Sequence, residues 1–282
     1  MKTMVLFFLG RLIFFMRFDI LCKMKVCNLS SGSDGNATYV ESSTTKVLVD
    51  CGLSCKEIEK RLALLGVLGE DIDAILVTHE HSDHIKGIDV FAGKFGTKVY
   101  VHKDGLYPLM KKLKKNHNVE VFDDAPFFVG NLKVLPIEVP HDVERCTGYV
   151  IYEDKKKISI FTDLGHTTKE ILQNLYNSNL VFLEANHDPD ILSQNPRYPI
   201  YLKKRILGNN GHLSNLACAN AIIDLATNGC KQFVLAHLST ENNSPDLAYD
   251  FITDILASRG IVEGTHIRID IASTIPKNVF WI

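Results

Sequence analysis

Residues 77–87 read VTHEHSDHIKG and follow the apolar run AILV at 74–77. Three histidines and two acids stand within the six positions from His79 to His84. His79 and His81 would point to different sides of a helix, and His79 and His84 to opposite faces of a strand, so no single regular element gathers them. We therefore expect a bent loop after a buried strand, with His84 opening the next helix. Imidazoles together with a carboxylate are ligands that zinc prefers and that also suit manganese or iron.

The composition limits the class of protein. The chain has 282 residues, of which 46% are hydrophobic and 23% charged, and its net charge is −2. These values are typical of a soluble globular protein with one large domain or two small ones. Because there is no chain-wide basic field, binding of a polyanion requires local basic patches or bound metal. The seven cysteines contain no CxxC pair, which favours reduced thiols and a cytoplasmic location.

Residues 1–23 differ from the remainder of the chain. Arg11 and Arg17 interrupt their apolar stretch, so no run approaches the ~20 residues of a membrane-spanning helix. We expect a hydrophobic N-terminal extension ahead of a natural start at Met24. A membrane-surface anchor and an export signal are the alternatives, although no small-x-small cleavage site follows. The main domain is expected to span residues 24–282 and to have no stable membrane association.

The rest of the chain alternates short apolar strands with helical stretches and contains no long linker. The apolar spacing predicts helices over residues 54–65, capped by the first residue of that range, and over residues 84–95. Strands mixed with helices throughout favour an α/β class with helices outside two packed sheets. The runs KVLVDCG (46–52) and KISIFTDLG (157–165) are alike, since each is a strand that ends in Asp-x-Gly. This similarity indicates two related halves.

Further metal ligands are expected at other strand ends, because one loop cannot complete two coordination spheres. His141 follows VLPIEVP, Asp163 ends ISIFTD and His237 ends FVLAH. Each stands where an apolar strand meets a loop, and loops at such positions commonly carry chemistry. Each residue alone is equally consistent with a hydrogen-bonded strand end, but together with the cluster at 79–84 they indicate a metal site.

The motif H-x-H-x-D-H, followed by separate His, Asp and His residues, resembles the metallo-β-lactamase-fold hydrolases from about Met24 onward. The resemblance implies a four-layer αββα sandwich with a dinuclear site at one edge, holding two divalent ions, Mn²⁺ or Zn²⁺. Carried over position by position, three residues would hold one ion: His79, His81 and His141. Three others would hold the second ion, and an aspartate would bridge the pair: Asp83, His84, His237 and Asp163.

The residues around these positions are similar to the YycJ/WalJ subgroup of that family. The motifs that carry this similarity are NLSSGSDGNATYV, THEHSDHIKG, PHD, TDLG, LEANHD, GHLSN and LAHLSTENN. The resemblance implies a cytoplasmic 5′→3′ exonuclease that acts on DNA rather than RNA. Two ions would carry four positive charges, of which Asp83 and Asp163 cancel half, so the site would favour a phosphodiester. A water between the ions would lose its proton near neutral pH and attack phosphorus.

The leaving oxygen needs a proton, and His212 in GNNGHLSN is the candidate general acid, because related phosphodiesterases place a histidine there. Asp83 is the second catalytic candidate and would orient the attacking water. Five polar residues on turns are candidate substrate contacts: Ser31, Ser33, Asn36, Asn209 and Ser214. A plain hairpin explains the first three equally well, and Ser214 would also cap the helix that follows it. Asp50 is expected behind one of the ligand histidines.

Other interpretations remain open at this stage. The basic run at 203–205, with Tyr198 and Tyr201 nearby, would suit a nucleic-acid backbone or form a solvated face. Alternative functions on the same fold are an RNA-processing nuclease, a small phosphodiesterase or a thioesterase. A non-catalytic module of cell-wall regulation is the alternative from another class. A redox di-iron centre is disfavoured because His81 stands where that branch has a glutamate. The sequence leaves the oligomeric state open.

Overall fold

Two sheets of seven strands lie face to face in the computed structural model, which describes residues 24–282. The strands of the first sheet are β1 (Lys25–Ser30), β2 (Ala37–Glu41), β3 (Lys46–Val49), β4 (Ala74–Leu76), β5 (Lys98–His102), β6 (Val119–Phe122) and β14 (Val279–Trp281). Their order across the sheet is β14-β1-β2-β3-β4-β5-β6. The strands from β3 to β6 are parallel, so their carboxyl ends meet at one edge.

The second sheet repeats this plan. Its strands are β7 (Phe127–Val129), β8 (Leu132–Glu138), β9 (Thr147–Glu153), β10 (Lys156–Phe161), β11 (Leu180–Glu184), β12 (Gln232–Ala236) and β13 (Arg268–Ile271). Their order is β13-β12-β11-β10-β9-β8-β7, and the strands from β10 to β13 are parallel. Each sheet therefore has a parallel half whose strand ends can carry a site.

Helices flank the two sheets. They are α1 (Cys55–Ala63), α2 (Ser82–Ile85), α3 (Ile88–Phe95), α4 (Lys103–Lys112), α5 (Lys169–Leu175), α6 (Pro189–Gln194), α7 (Ile200–Leu207), α8 (Asn215–Thr227) and α9 (Pro245–Ser258). A short 3₁₀ turn adds Gly69–Asp71.

Three apolar layers result from the alternation of side chains along the strands. Val47 packs in the layer between the sheets, whereas its neighbour Leu48 packs against the helices of the first sheet. Ile160 and Phe161 divide in the same way between the central layer and the helices of the second sheet. Successive strand residues point to opposite faces, and both faces are covered. The predicted four-layer αββα sandwich is confirmed.

The helix predicted over residues 54–65 is confirmed as α1, and Ser54 Oγ caps it by accepting a hydrogen bond from Glu57 N at 3.3 Å. The single helix predicted over residues 84–95 is wrong, because the chain turns at Gly87 between α2 and α3. Gly87 N donates to Cys51 O at 2.8 Å, and this contact with the turn after β3 bends the chain. His84 consequently lies inside α2 instead of opening the longer helix.

The expectations for residues 1–23 concern a segment outside the described residues. Among residues 24–282, the structure contains no helix of the length and apolar character needed to cross a membrane.

The turn after β3 holds the histidine loop through backbone contacts. Cys51 N donates to His84 O at 2.8 Å, Gly52 N donates to Asn36 O at 2.8 Å, and Asn36 N donates to Asp83 O at 2.7 Å. A Cβ atom at Gly52 would lie only 1.6 Å from Asp83 O. Glycine is therefore required at position 52 by the close approach of two backbones.

We predict that Gly52→Ala destabilises the fold, because the added methyl group must push the loop carrying Asp83 away. A cost of about 3 kcal/mol would lower the Tm by roughly 6–10 °C in a chain of this size. Thermal unfolding followed by circular dichroism measures the change. Gly93→Ala is the matched control, since its Cβ would meet no atom closer than 3.8 Å and alanine favours a helix. Equal Tm values for the two variants would contradict the prediction.

Candidate metal centre

The seven predicted ligand residues, called the cluster from here on, lie together at the edge where the parallel halves of both sheets end. They follow four strands: the four ligands between residues 79 and 84 follow β4, His141 follows β8, Asp163 follows β10 and His237 follows β12. Their side chains form three overlapping groups, in each of which the available ligand atoms lie within 4.8 Å of one another. The groups are His79, His81 and His141; Asp83, His84 and His237; and His79, His84 and Asp163.

The histidines of the cluster share one orientation. Nδ1 of His141 donates to Gly211 O at 3.2 Å. Nδ1 of His84 lies 2.7 Å from Asp50, and Nδ1 of His237 lies 2.7 Å from Glu184. Because a carbonyl or carboxylate oxygen accepts the Nδ1 proton, each ring directs its Nε2 toward the centre.

Several atoms that face the centre have no hydrogen-bond partner among the described residues. They are buried and include Nε2 of His79, His141 and His237 and Oδ2 of Asp163. Buried polar atoms are rarely left without a partner unless an ion or water satisfies them. Nitrogen and carboxylate donors at this spacing fit a divalent metal ion. The chain therefore carries a site suited to divalent metal.

Asp50 holds two of the histidines, as expected for a residue behind the ligands. Its carboxylate contacts His84 directly and accepts hydrogen bonds from the backbone N–H and the hydroxyl of Thr78, both at 2.9 Å. The same hydroxyl oxygen lies 3.0 Å from His79 Nδ1. Since the Thr78 proton goes to Asp50, the hydroxyl oxygen accepts from His79 and fixes that ring as well.

Glu184 is a site residue that the sequence reasoning missed. It is fully buried at the end of β11, and its Oε1 contacts Nδ1 of both His212 at 2.8 Å and His237 at 2.7 Å. Its Oε2 accepts from the backbone N–H groups of Leu164 and Leu213. The sequence signal was present, because an acid stands at the end of an apolar strand, as it does near the end of β10 at Asp163.

The buried charges shift the pKa values of the cluster in opposite directions. Burial lowers the pKa of His79, and the neighbouring His84 lowers it further. Burial also disfavours the charged form of His237, but the carboxylates of Asp163, Asp83 and Glu184 outweigh burial and raise the pKa of His237 to about 10. In the absence of metal, a proton therefore occupies part of the ligand set.

Three site residues have the left-handed backbone conformation that side chains disfavour. The φ angles are 63° for Asp50, 56° for Asp163 and 55° for His237, each directly or nearly directly after its strand. Such conformations cost of order 1–3 kcal/mol and persist where the surrounding structure holds them. At these three strand ends the backbone turns sharply, which aims Asp163 and His237 into the centre and aims Asp50 at His84 from behind.

The predicted substrate contacts occupy different positions. Ser31 Oγ accepts from His237 N at 2.7 Å, and Asn36 Nδ2 donates to Asp83 Oδ2 at 3.2 Å, so both hold ligand residues in place. Ser214 caps α8 by accepting from Ala217 N. Asn209 is exposed, and its carbonyl oxygen accepts from His166. Ser33 is exposed at the mouth of the site.

A cleft of about 140 Å³ opens beside the cluster, and its lining includes Ser33, Asp142, Tyr198, Arg205 and His212. Asp142 forms an ion pair with Arg205, and its Oδ1 lies 3.3 Å from His141 Nε2. A larger cavity of about 700 Å³ is lined in part by residues of the same loop, Ser31 to Asp34. Ser33 and Ser239 belong to the linings of both spaces.

Comparison with known proteins identifies the family. Residues 45–238 match the family described as the β-lactamase superfamily domain. Exodeoxyribonuclease WalJ of Streptococcus pneumoniae serotype 2 (strain D39) is 38% identical over 247 residues, which cover 86% of this chain and 91% of the relative. Exodeoxyribonuclease YycJ of Bacillus anthracis is 35% identical over 254 residues, which cover 88% and 94%.

The fold has a solved counterpart in the metallo-β-lactamase fold protein YhfI from Bacillus subtilis. The two structures align with a TM-score of 0.69 and 18% identity, over 92% of this chain and all of the other. The sequence matches and the αββα layers indicate the same family. The histidine and carboxylate cluster at the strand ends agrees with that assignment. The chain belongs to the β-lactamase superfamily, and within it to the family of WalJ and YycJ.

Proposed function

We propose that this protein is a metal-dependent 5′→3′ DNA exonuclease that hydrolyses phosphodiester bonds at the cluster. The observation that carries the proposal is the similarity, over more than nine-tenths of their lengths, to two relatives that are both named exodeoxyribonuclease. The cleft lined by His212 and Arg205 supports it, because it opens beside the cluster and gives a substrate phosphate access to it.

Two divalent ions, Mn²⁺ or Zn²⁺, fit the nitrogen and oxygen donors of the cluster. We assign the ligands to two groups with Asp163 between them: His79, His81 and His141, and Asp83, His84 and His237. Such ions supply Lewis acidity and lower the pKa of a coordinated water to ~7 when bound. Asp83 and Asp163 would cancel half of the four positive charges, which leaves an electropositive centre for phosphate.

His212 is the proposed proton donor to the leaving oxygen. Its side chain is 21% exposed and faces the cleft, while Glu184 holds its Nδ1. Burial alone would lower the pKa of His212, but the carboxylates of Glu184 and Asp163 raise it above its usual value. The ring is therefore positioned and keeps a proton available. Asp83, with a partly exposed carboxylate, would accept a hydrogen bond from the attacking water and orient it.

The other polar residues are assigned by what they contact. Ser33 and Asn209 are exposed and are proposed to contact the substrate backbone. Ser31, Asn36 and Ser214 are proposed to act by holding the loops that border the substrate. Ser31 and Asn36 hydrogen-bond the ligand residues His237 and Asp83, and Ser214 caps the helix that follows His212. We also propose a cytoplasmic location, which the six buried free thiols of the described residues support.

The direct test follows labelled nucleic acid on a denaturing gel. The protein is loaded with Mn²⁺ or Zn²⁺ and mixed with 5′- and 3′-labelled DNA and RNA, single- and double-stranded. We expect metal-dependent release of short products from the 5′ end of DNA, which Asp163→Ala abolishes. Cleavage of RNA alone, or of a small phosphodiester alone, would keep the chemistry and overturn the proposed substrate.

Two variants separate proton donation from metal binding. His212→Ala should retain metal, while turnover falls by roughly 10²–10⁴-fold because the general acid is lost. Glu184→Gln should lower turnover and also weaken metal binding by about 10–100-fold. The glutamine amide has one acceptor oxygen for the two imidazoles and two backbone N–H groups that the carboxylate serves, so it orients His237 less well. Metal content by mass spectrometry and kcat on DNA are measured together, with the exposed His266→Ala as control. Loss of metal from His212→Ala would show that its role is ligation.

Metal binding should release protons and strengthen as pH rises. The pKa of His237 lies above neutrality in the metal-free protein, and a protonated imidazole has no lone pair for a ligand bond. Each proton displaced changes the metal affinity by about tenfold per pH unit. Calorimetric titration with Mn²⁺ in buffers of different ionisation enthalpy measures the protons released. An affinity that does not depend on pH would contradict this assignment of His237.

A further inference from the structure

α7 is a surface helix that buries none of its side chains. The exposed fractions of Ile200, Tyr201 and Leu207 are 73%, 75% and 47%. Large apolar side chains exposed this close together indicate an interaction surface. Lys204, which is also exposed, lies among them, because residues three and four apart are neighbours on a helix.

The opposite side of the same helix belongs to the catalytic cleft. Leu202, Arg205 and Ile206 line the cleft together with His212. The helix is also joined directly to the proposed proton donor, since His212 N donates to Ile206 O at 3.0 Å. Tyr201 stands four residues before Arg205 and so lies at the rim of the cleft. A chain leaving the cleft past Arg205 would meet Tyr201 first and Lys204 next.

We infer that the exposed side of α7, formed by Ile200, Tyr201, Lys204 and Leu207 (the α7 surface), binds the single-stranded part of a polynucleotide whose reacting phosphate lies in the cleft. Tyr201 stacks on an unpaired base, and Lys204 neutralises a backbone phosphate. Stacking on aromatic side chains beside cations is how proteins bind single strands of any sequence. The inference rests on the proposed nuclease function and adds which part of the substrate α7 contacts.

Charge favours a polynucleotide over a second copy of this chain. The helix sequence IYLKKRIL holds three cations and no acid. Arg205 is paired with Asp142 on the cleft side, so Lys204 on the α7 surface and Lys203 beside it are the cations that have no acidic partner among the described residues. A two-fold contact between two copies would place these cations against each other, because such an interface pairs the same patch of both subunits. A polyanionic strand instead releases counterions when the cations neutralise its phosphates. Duplex DNA would offer phosphates but no free base face to Tyr201.

The binding test uses the Mn²⁺-loaded His212→Ala protein, which should hold metal but turn over slowly. Fluorescence anisotropy of a labelled single-stranded oligothymidylate, and of the matching duplex, gives the Kd at several salt concentrations. Added Tyr201→Ser should weaken single-strand binding roughly 5- to 150-fold, as expected for a lost stacking contact. Added Lys204→Ala should reduce the slope of log K against log[NaCl] by about 0.7, the value for one phosphate on a single strand.

The chain supplies a matched control on α4, which packs against β5 and β6 of the first sheet. There Tyr107 is 65% exposed, and the exposed Lys111 lies over its ring at 4.1 Å. Tyr107→Ser and Lys111→Ala should change neither quantity. In proteins that keep His212, Tyr201→Ser should also lower the ratio of kcat/KM on the single strand to that on bis(p-nitrophenyl) phosphate. This ratio separates strand binding from damage to the metal centre, which would lower both activities together.

Each alternative outcome has a distinct meaning. If both α7 variants behave like the α4 controls while DNA is cleaved, the proposed strand binding by the α7 surface is wrong and the proposed function stands. Equal weakening on duplex and single strand would overturn stacking on an unpaired base. A dimer in light scattering that Ile200→Ser dissociates, with unchanged strand binding, would assign the surface to a second copy. Hydrolysis of bis(p-nitrophenyl) phosphate without binding or cleavage of any polynucleotide would overturn the proposed function itself.

Discussion

The geometry of the metal centre depends on two buried carboxylates, each of which orients two histidines. Asp50 contacts His84 directly and His79 through the hydroxyl of Thr78, and Glu184 contacts both His212 and His237. A charge taken out of water this completely is costly unless it is paired and hydrogen-bonded. Because each carboxylate is paired with imidazoles, the rings are held in one orientation before any ion binds. One of the two carboxylates lies in each half of the sandwich.

The two halves of the sandwich each position a carboxylate with the same backbone turn. Asp50 and Asp163 both have left-handed φ angles, and each is followed two residues later by a glycine against which another backbone packs. A Cβ atom would lie 1.6 Å from Asp83 O in the first half and 2.1 Å from Asn209 O in the second. The Asp-x-Gly similarity between the two strands thus reflects one turn that aims a carboxylate inward and admits a neighbouring loop.

Much of this could be predicted from the sequence, because the apolar alternation of the strands and the dense histidine motif are local signals. The elements that were missed depend on tertiary contacts. The three-residue β14 forms by pairing with β1, and α7 buries no side chain, so it has no apolar period to detect. The break at Gly87 comes from a contact with the turn after β3. Glu184 stands at the end of an apolar strand as Asp163 does, but neither a histidine motif nor an Asp-x-Gly sequence marks it.

The hydrogen bond from His237 N to Ser31 Oγ joins residues 206 positions apart in the chain. The loop after the first strand therefore supports a ligand that is among the last parts of the domain to be synthesised. Domains generally fold as units as they leave the ribosome, and non-local contacts of this kind form late and slowly. A nascent chain that lacks β12 has neither His237 nor the loop that Ser31 holds. The full set of ligands is thus assembled only after β12 has been synthesised.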